Sequence, residues 1–131
     1  MANTYEYTGI NESATISLLA ASALSEVNGK AVVLGANGVA LPAAGDDILG
    51  IVLLTEDENI AAGGRVNVQI KDIGPWKAAA AFDQGALLAT DATGCCKAAT
   101  SGQHIVARAL EAATAAGDLV KVQLLHAGTV A

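Results

Sequence analysis

The chain has 131 residues, room for one domain with a short arm and too little for two independent cores. Hydrophobic residues make up 53% of it but aromatics only 3%, and much of the apolar count is alanine, so the core must come from Val, Ile and Leu clusters. Thirteen acidic residues against seven basic ones leave a formal net charge of -6, and the basic residues are scattered (Lys30, Arg65, Lys71, Lys77, Lys97, Arg108, Lys121), which argues against a free-standing nucleic-acid binder.

Residues 1–28 differ from the rest. Met1 to Glu12 is polar, holds Tyr5 and Tyr7, and has no amphipathic period, so it reads as an extended N-terminal arm or edge strand. It lacks the basic start and apolar stretch of a signal peptide, which makes synthesis in the cytoplasm the expectation. From Ser13 to Val27 the apolar positions Ile16, Leu19, Ala20, Ala23, Leu24 and Val27 fit a helical face, whereas Ala-Thr-Ile-Ser-Leu alternates like a strand. The segment stays ambiguous between the two.

From Gly29 onward short apolar runs alternate with Gly, Asn and Asp: Ala31–Leu34, Gly38–Leu41, Ile48–Leu54, Arg65–Ile70, Ala86–Ala89, Gly94–Lys97, Ile105–Leu110 and Leu119–Leu125. Val66-Asn67-Val68-Gln69-Ile70 and Val120-Lys121-Val122-Gln123-Leu124 alternate strictly, as half-buried strands do. Asn37-Gly38 carries the pair typical of a tight hairpin, since both residues accept positive φ. No apolar run approaches the roughly 20 residues that span a bilayer, so no membrane association is expected.

An internal repeat organises these runs. Ala61 to Ile70 aligns without gaps on Ala115 to Leu124, with six of ten positions identical. Upstream, Gly38 lies over Gly94 and Ile48 near Ile105, and a surplus around Thr55–Asn59 in the first copy marks a loop. The repeat predicts an all-β fold: a small β-barrel or sandwich of two related strand-rich halves, about 29–73 and 85–127, in a domain 29–131 preceded by the arm and linker 1–28. In each Ala-Ala-Gly turn the glycine is expected to take a left-handed conformation before the next strand.

The chemistry-bearing residues form no catalytic pattern. Cys95 and Cys96 are adjacent, so they suit neither a relaxed disulfide nor a zinc site, and they read as small apolar strand residues at the place of Val39-Ala40. His104 and His126 have no acidic partner at a motif spacing. Glu56-Asp57-Glu58-Asn59 lacks the oxygen periodicity and turn glycine of a calcium loop. Gly29-Lys30 lacks the preceding Gly and following Ser or Thr of a phosphate loop. No enzyme activity, cofactor or metal is therefore expected. Trp76, after Gly74-Pro75, belongs at a strand start or edge, packed between the halves or anchoring a subunit contact.

The pattern Leu-Gly-Ala-Asn-Gly-Val-Ala-Leu-Pro-Ala-Ala-Gly, then Ile-Leu-Gly-Ile-Val-Leu-Leu, then Ala-Ala-Gly-Gly-Arg-Val-Asn-Val-Gln-Ile resembles the tailed-phage capsid cement, or head decoration, proteins over about residues 29–126. The resemblance implies a virion protein on the capsid exterior that staples major capsid subunits. It also implies a homo-oligomer, more often a trimer than a dimer. Tyr5, Tyr7, Ile10 and Trp76 are the interface residues expected on this reading. A head-completion or tail component and a carbohydrate-binding adhesive module are the competing readings, the last opposed by a total of only four aromatics.

Overall fold

A computed structural model describes residues 14–53 and 59–131. The alternating segments become strands because alternation places every second side chain on one side of a pleated chain, where Val and Ile bury well. Thus β5 (Arg65–Gln69) buries Val66 and Val68 and exposes Arg65 and Asn67. Similarly, β10 (Leu119–Leu124) buries Val120 and Val122 and exposes Leu119, Lys121 and Gln123.

The other strands are β1 (Thr15–Leu19), β2 (Ala31–Gly35), β3 (Gly38–Ala40), β4 (Gly50–Val52), β6 (Ile73–Lys77), β7 (Leu87–Thr90), β8 (Cys96–Ala98) and β9 (Ala107–Ala109). They form two antiparallel five-stranded sheets, ordered β1-β5-β4-β2-β3 and β6-β10-β9-β7-β8. The second order is the first with five added to each label, so the sequence repeat is a duplicated sheet. All-β architecture in two related halves holds.

The sheets stay open, and the barrel expectation is corrected. The free edges of each approach one another but share only a single bridge, Ala20 with Val39 in the first and Ala78 with Cys96 in the second. Each sheet therefore curls without closing. Tight approach at this point requires Gly38 (φ 129°), because a Cβ there would fall on the Leu19 carbonyl. Asn37 itself does not adopt positive φ.

The ambiguous segment 13–27 resolves into strand β1 followed by an irregular stretch. β1 pairs with β5 from Thr15↔Gln69 to Leu19↔Arg65. Beyond it, Ala20, Leu24 and Val27 are buried in the first half's core with Val32, Val39, Val52, Val66 and Val68. Residues 15–27 thus pack as part of the first half, and the division expected at residue 28 does not follow the packing. The duplication begins at β1, whose counterpart is β6.

Pro75 fits β6 because that strand lies at a sheet edge, where a missing N–H costs no ladder bond. The turn glycines behave as expected: Gly63 (φ 83°) and Gly117 (φ 92°) are both left-handed. The cysteines correct the repeat by one residue. Leu34↔Val39 corresponds to Thr90↔Cys96, so Cys96 stands where Val39 does. The β7–β8 loop is one residue longer and is braced by Asp91, whose Oδ1 accepts the Thr93 and Cys95 N–H groups at 2.9 and 3.0 Å.

Candidate interaction surfaces

Two layers meet where the halves join, and the join is made largely by main chain. The Lys77 N–H donates to the Gly29 carbonyl at 2.8 Å, and the Ala31 N–H to the Gly94 carbonyl at 2.7 Å. The Gly45 N–H donates to the Thr90 carbonyl at 2.8 Å, and the His104 N–H to the Gly45 carbonyl at 3.0 Å. Hydrophobic burial reinforces these bonds. Ala31, Ile48 and Ile51 of the first half belong to one cluster with Trp76, Leu88, Cys96, Val120 and Val122 of the second. The described residues therefore form two core patches, one private to the first half and one shared.

Trp76 is the centre of the shared patch. It is fully buried, and its indole N–H donates to the Gly94 carbonyl at 2.8 Å, the same oxygen that receives Ala31. A Trp with its ring enclosed and its N–H satisfied has packing to contribute and no surface to offer. The subunit-anchor expectation for Trp76 is corrected on that ground, and its place agrees with packing between the halves. Tyr5, Tyr7 and Ile10 lie outside the described residues.

The histidine side chains reach partners 59 and 79 residues away in sequence and converge on one loop. The His104 Nδ1 lies 2.9 Å from the Gly45 carbonyl, which requires the proton on Nδ1. The His126 Nδ1 lies 3.1 Å from Asp47 Oδ1, with both side chains more than half exposed, so this pair adds little to stability. Both contacts tie the second half to the Gly45–Asp47 turn. The Cys96 thiol is pushed up to about 12, chiefly by burial and next by its neighbour Cys95, which leaves it protonated and inert at neutral pH. Among the described residues no cluster of His, Cys, Asp or Glu has the makings of a metal site.

What the surface does present is apolar side chains on sheet faces. Leu119 and Ile73 are 57% and 55% exposed, and Leu87 is exposed beside them on the outward face of the second sheet. Leu119 lines two adjoining clefts of about 230 and 260 Å³, shared with Pro75, Lys77 and Gly29 on one side and with Ile73, Glu111 and Lys121 on the other. On the first half Leu19, Leu34 and Leu41 are exposed. Sequence reasoning passed over all six. The signal was present at Leu119, a large apolar residue on the polar side of an alternating strand beside Lys121 and Gln123.

Comparison with known proteins supplies context for such a surface. The phage cement protein family model matches residues 10–124. No curated protein matches the sequence. Among solved structures, the base of the head fiber protein gp8.5 of bacteriophage phi29 is similar, with a TM-score of 0.57 at 17% identity, covering 89% of this chain and 97% of that one. At that identity the likeness is one of fold.

Proposed function

As a member of the phage cement protein family, this chain is a structural component of the phage head, and we propose that it binds the outer surface of the shell and joins neighbouring major capsid subunits. The single observation that carries this reading is the family match across residues 10–124. The surfaces described above support it: large apolar side chains stand on open sheet faces, where a binding partner would shield them.

The action is physical and not catalytic. Each contact is weak, but the same contact repeated over a shell gives avidity, and many small gains resist expansion of the lattice from within. The arm, with Tyr5, Tyr7 and Ile10, contributes by adding a strand to an exposed sheet edge and burying its rings against a partner. Self-association belongs to the same reading, because a 131-residue chain whose core leans on Val and Ala gains stability from a neighbour.

Co-sedimentation with undecorated capsids tests the proposal, comparing the full chain with one lacking residues 1–12. The expected result is saturable binding in many copies per shell by the full chain and a clear loss on truncation. Absence of binding by the full chain overturns the reading. Unchanged binding by the truncated chain removes the arm from it and leaves the decoration role in place.

A further inference from the structure

The duplication allows each surface of one half to be compared with its counterpart on the other, and the comparison is lopsided. In the first half, Gly29, Ala31, Ile51 and Gln69 are all buried. Gly29 and Ala31 bond directly to the second half, through Lys77 and Gly94, and Ala31 and Ile51 pack in the cluster shared with it. Their counterparts by strand pairing are Gly85, Leu87, Arg108 and Gln123, and all four are exposed. Only at Gly102, the counterpart of Gly45, does the chain supply its own cover: Val130 accepts the Gly102 N–H at 2.9 Å, where Gly45 uses Thr90.

The covering side shows the reverse imbalance. The second half covers the first with Lys77, Thr90 and Leu119, the last lying so close to Gly29 that a Cβ there would meet it at 2.8 Å. The counterparts of Lys77 and Thr90 on the first half are Leu19 and Leu34, which are 44% and 57% exposed and stand open among the described residues. One half thus ends in an uncovered surface and the other in an unused cover, each carrying leucine in the open. β1, which bears Leu19, is also an edge strand, as β6 is where Lys77 reaches Gly29.

From this we propose that a second copy of the chain docks head to tail in solution, its Leu19–Leu34 surface covering the Ile73–Leu87–Arg108 face as the second half covers the first. This rests on the self-association part of the reading above and adds which surfaces meet. The interface is heterologous, so it propagates until the rotation between copies closes a ring.

Two charge variants test it: Ile73→Asp/Leu87→Asp on the receiving face, and Leu19→Asp/Leu34→Asp on the covering face. All four positions are 41–57% exposed, so both variants keep the wild-type circular dichroism and unfolding profile. Sedimentation velocity is expected to show an oligomer for the wild type and a monomer for each variant alone. An equimolar mixture is expected to form a dimer and nothing larger, because one intact surface of each kind remains. Milder Thr replacements at the same four positions are expected to weaken assembly without abolishing it.

A wild type that stays monomeric at every concentration overturns the proposal. So does one variant that still assembles alone, which means like faces meet, or a mixture that stays monomeric. Shell binding is measured separately on the wild type: its loss defeats the decoration reading and leaves the sedimentation result standing. A receiving-face variant that loses shell binding beside a monomeric wild type assigns that face to the capsid instead.

Discussion

The two halves share one strand order yet are stabilised differently. The first sheet buries Val32, Val52, Val66 and Val68 against its own Ala20–Val27 stretch, and turns Ala31 and Ile51 into the join on its other side. The second sheet leaves most of its other face open and fills its buried face with larger groups: Trp76 where the first half has Leu18, Phe82 where it has Leu24, Leu88 where it has Val32. A half covered on two sides needs no bulky residue, whereas a half covered mainly on one side concentrates its burial in a few large rings.

Truncating the two counterpart residues is the sharpest way to break that contrast. Trp76→Ala is expected to cost about 3–5 kcal/mol, through the cavity and the lost indole bond, whereas Leu18→Ala, at a half-buried site, is expected to cost about 1–2 kcal/mol. Urea unfolding of both variants measures the difference, and equal costs would mean that the two cores carry the same weight.

A smaller effect distinguishes the join from the turns. Gly94 and Gly117 are both left-handed, at φ 85° and 92°, but a Cβ on Gly94 would meet the Ala31 carbonyl at 2.8 Å while one on Gly117 meets nothing within 4 Å. Gly94→Ala is expected to cost about 2 kcal/mol or more, and Gly117→Ala about 1 kcal/mol, which is the backbone strain alone. Thermal unfolding ranks them.

The smallest effect concerns the same turn in its two versions. The Asp118 carboxylate accepts the Thr114 N–H and hydroxyl at 2.9 Å and the Ala115 N–H at 3.2 Å, and these bonds hold its pKa below the usual carboxylate value, the Thr114 N–H foremost. The first half has Gly64 in its place. A lowered folded pKa means that the stabilisation is present above the unfolded carboxylate pKa and is lost as the pH falls through the folded one. Asp118→Ala is therefore expected to lower Tm slightly at neutral pH, with the gap to wild type closing as the solution is acidified. A gap that persists in acid would assign the effect to the side-chain change and not to the charge.

Eight of the ten strands were legible as apolar runs between glycine turns, and the repeat announced the duplication through Ala-Ala-Gly followed by Val-x-Val-Gln. β1 stayed open between helix and strand, and β6 was foreseen only as a strand start or edge at Trp76. Their kinship was hidden because Thr-Ile-Ser-Leu-Leu and Ile-Gly-Pro-Trp-Lys share no residue at matching positions, so the correspondence exists only in their pairing with β5 and β10. Closure into a barrel was not legible either. It depends on whether two edges form a ladder or a single bridge, which the alternation of one strand does not record. The interaction surface was hidden for a related reason: Leu19, Leu34, Ile73 and Leu87 look like core residues until the other half is seen to leave them out.

The main-chain join between Lys77 and Gly29, Ala31 and Gly94, and Gly45 and Thr90 has an evolutionary consequence. Amide and carbonyl groups are the same in every residue except proline, so such a seam survives almost any replacement that spares its glycines and the backbone path. Lineages carrying it are free to rewrite most of their side chains under pressure from changing hosts and still inherit the same assembly of halves.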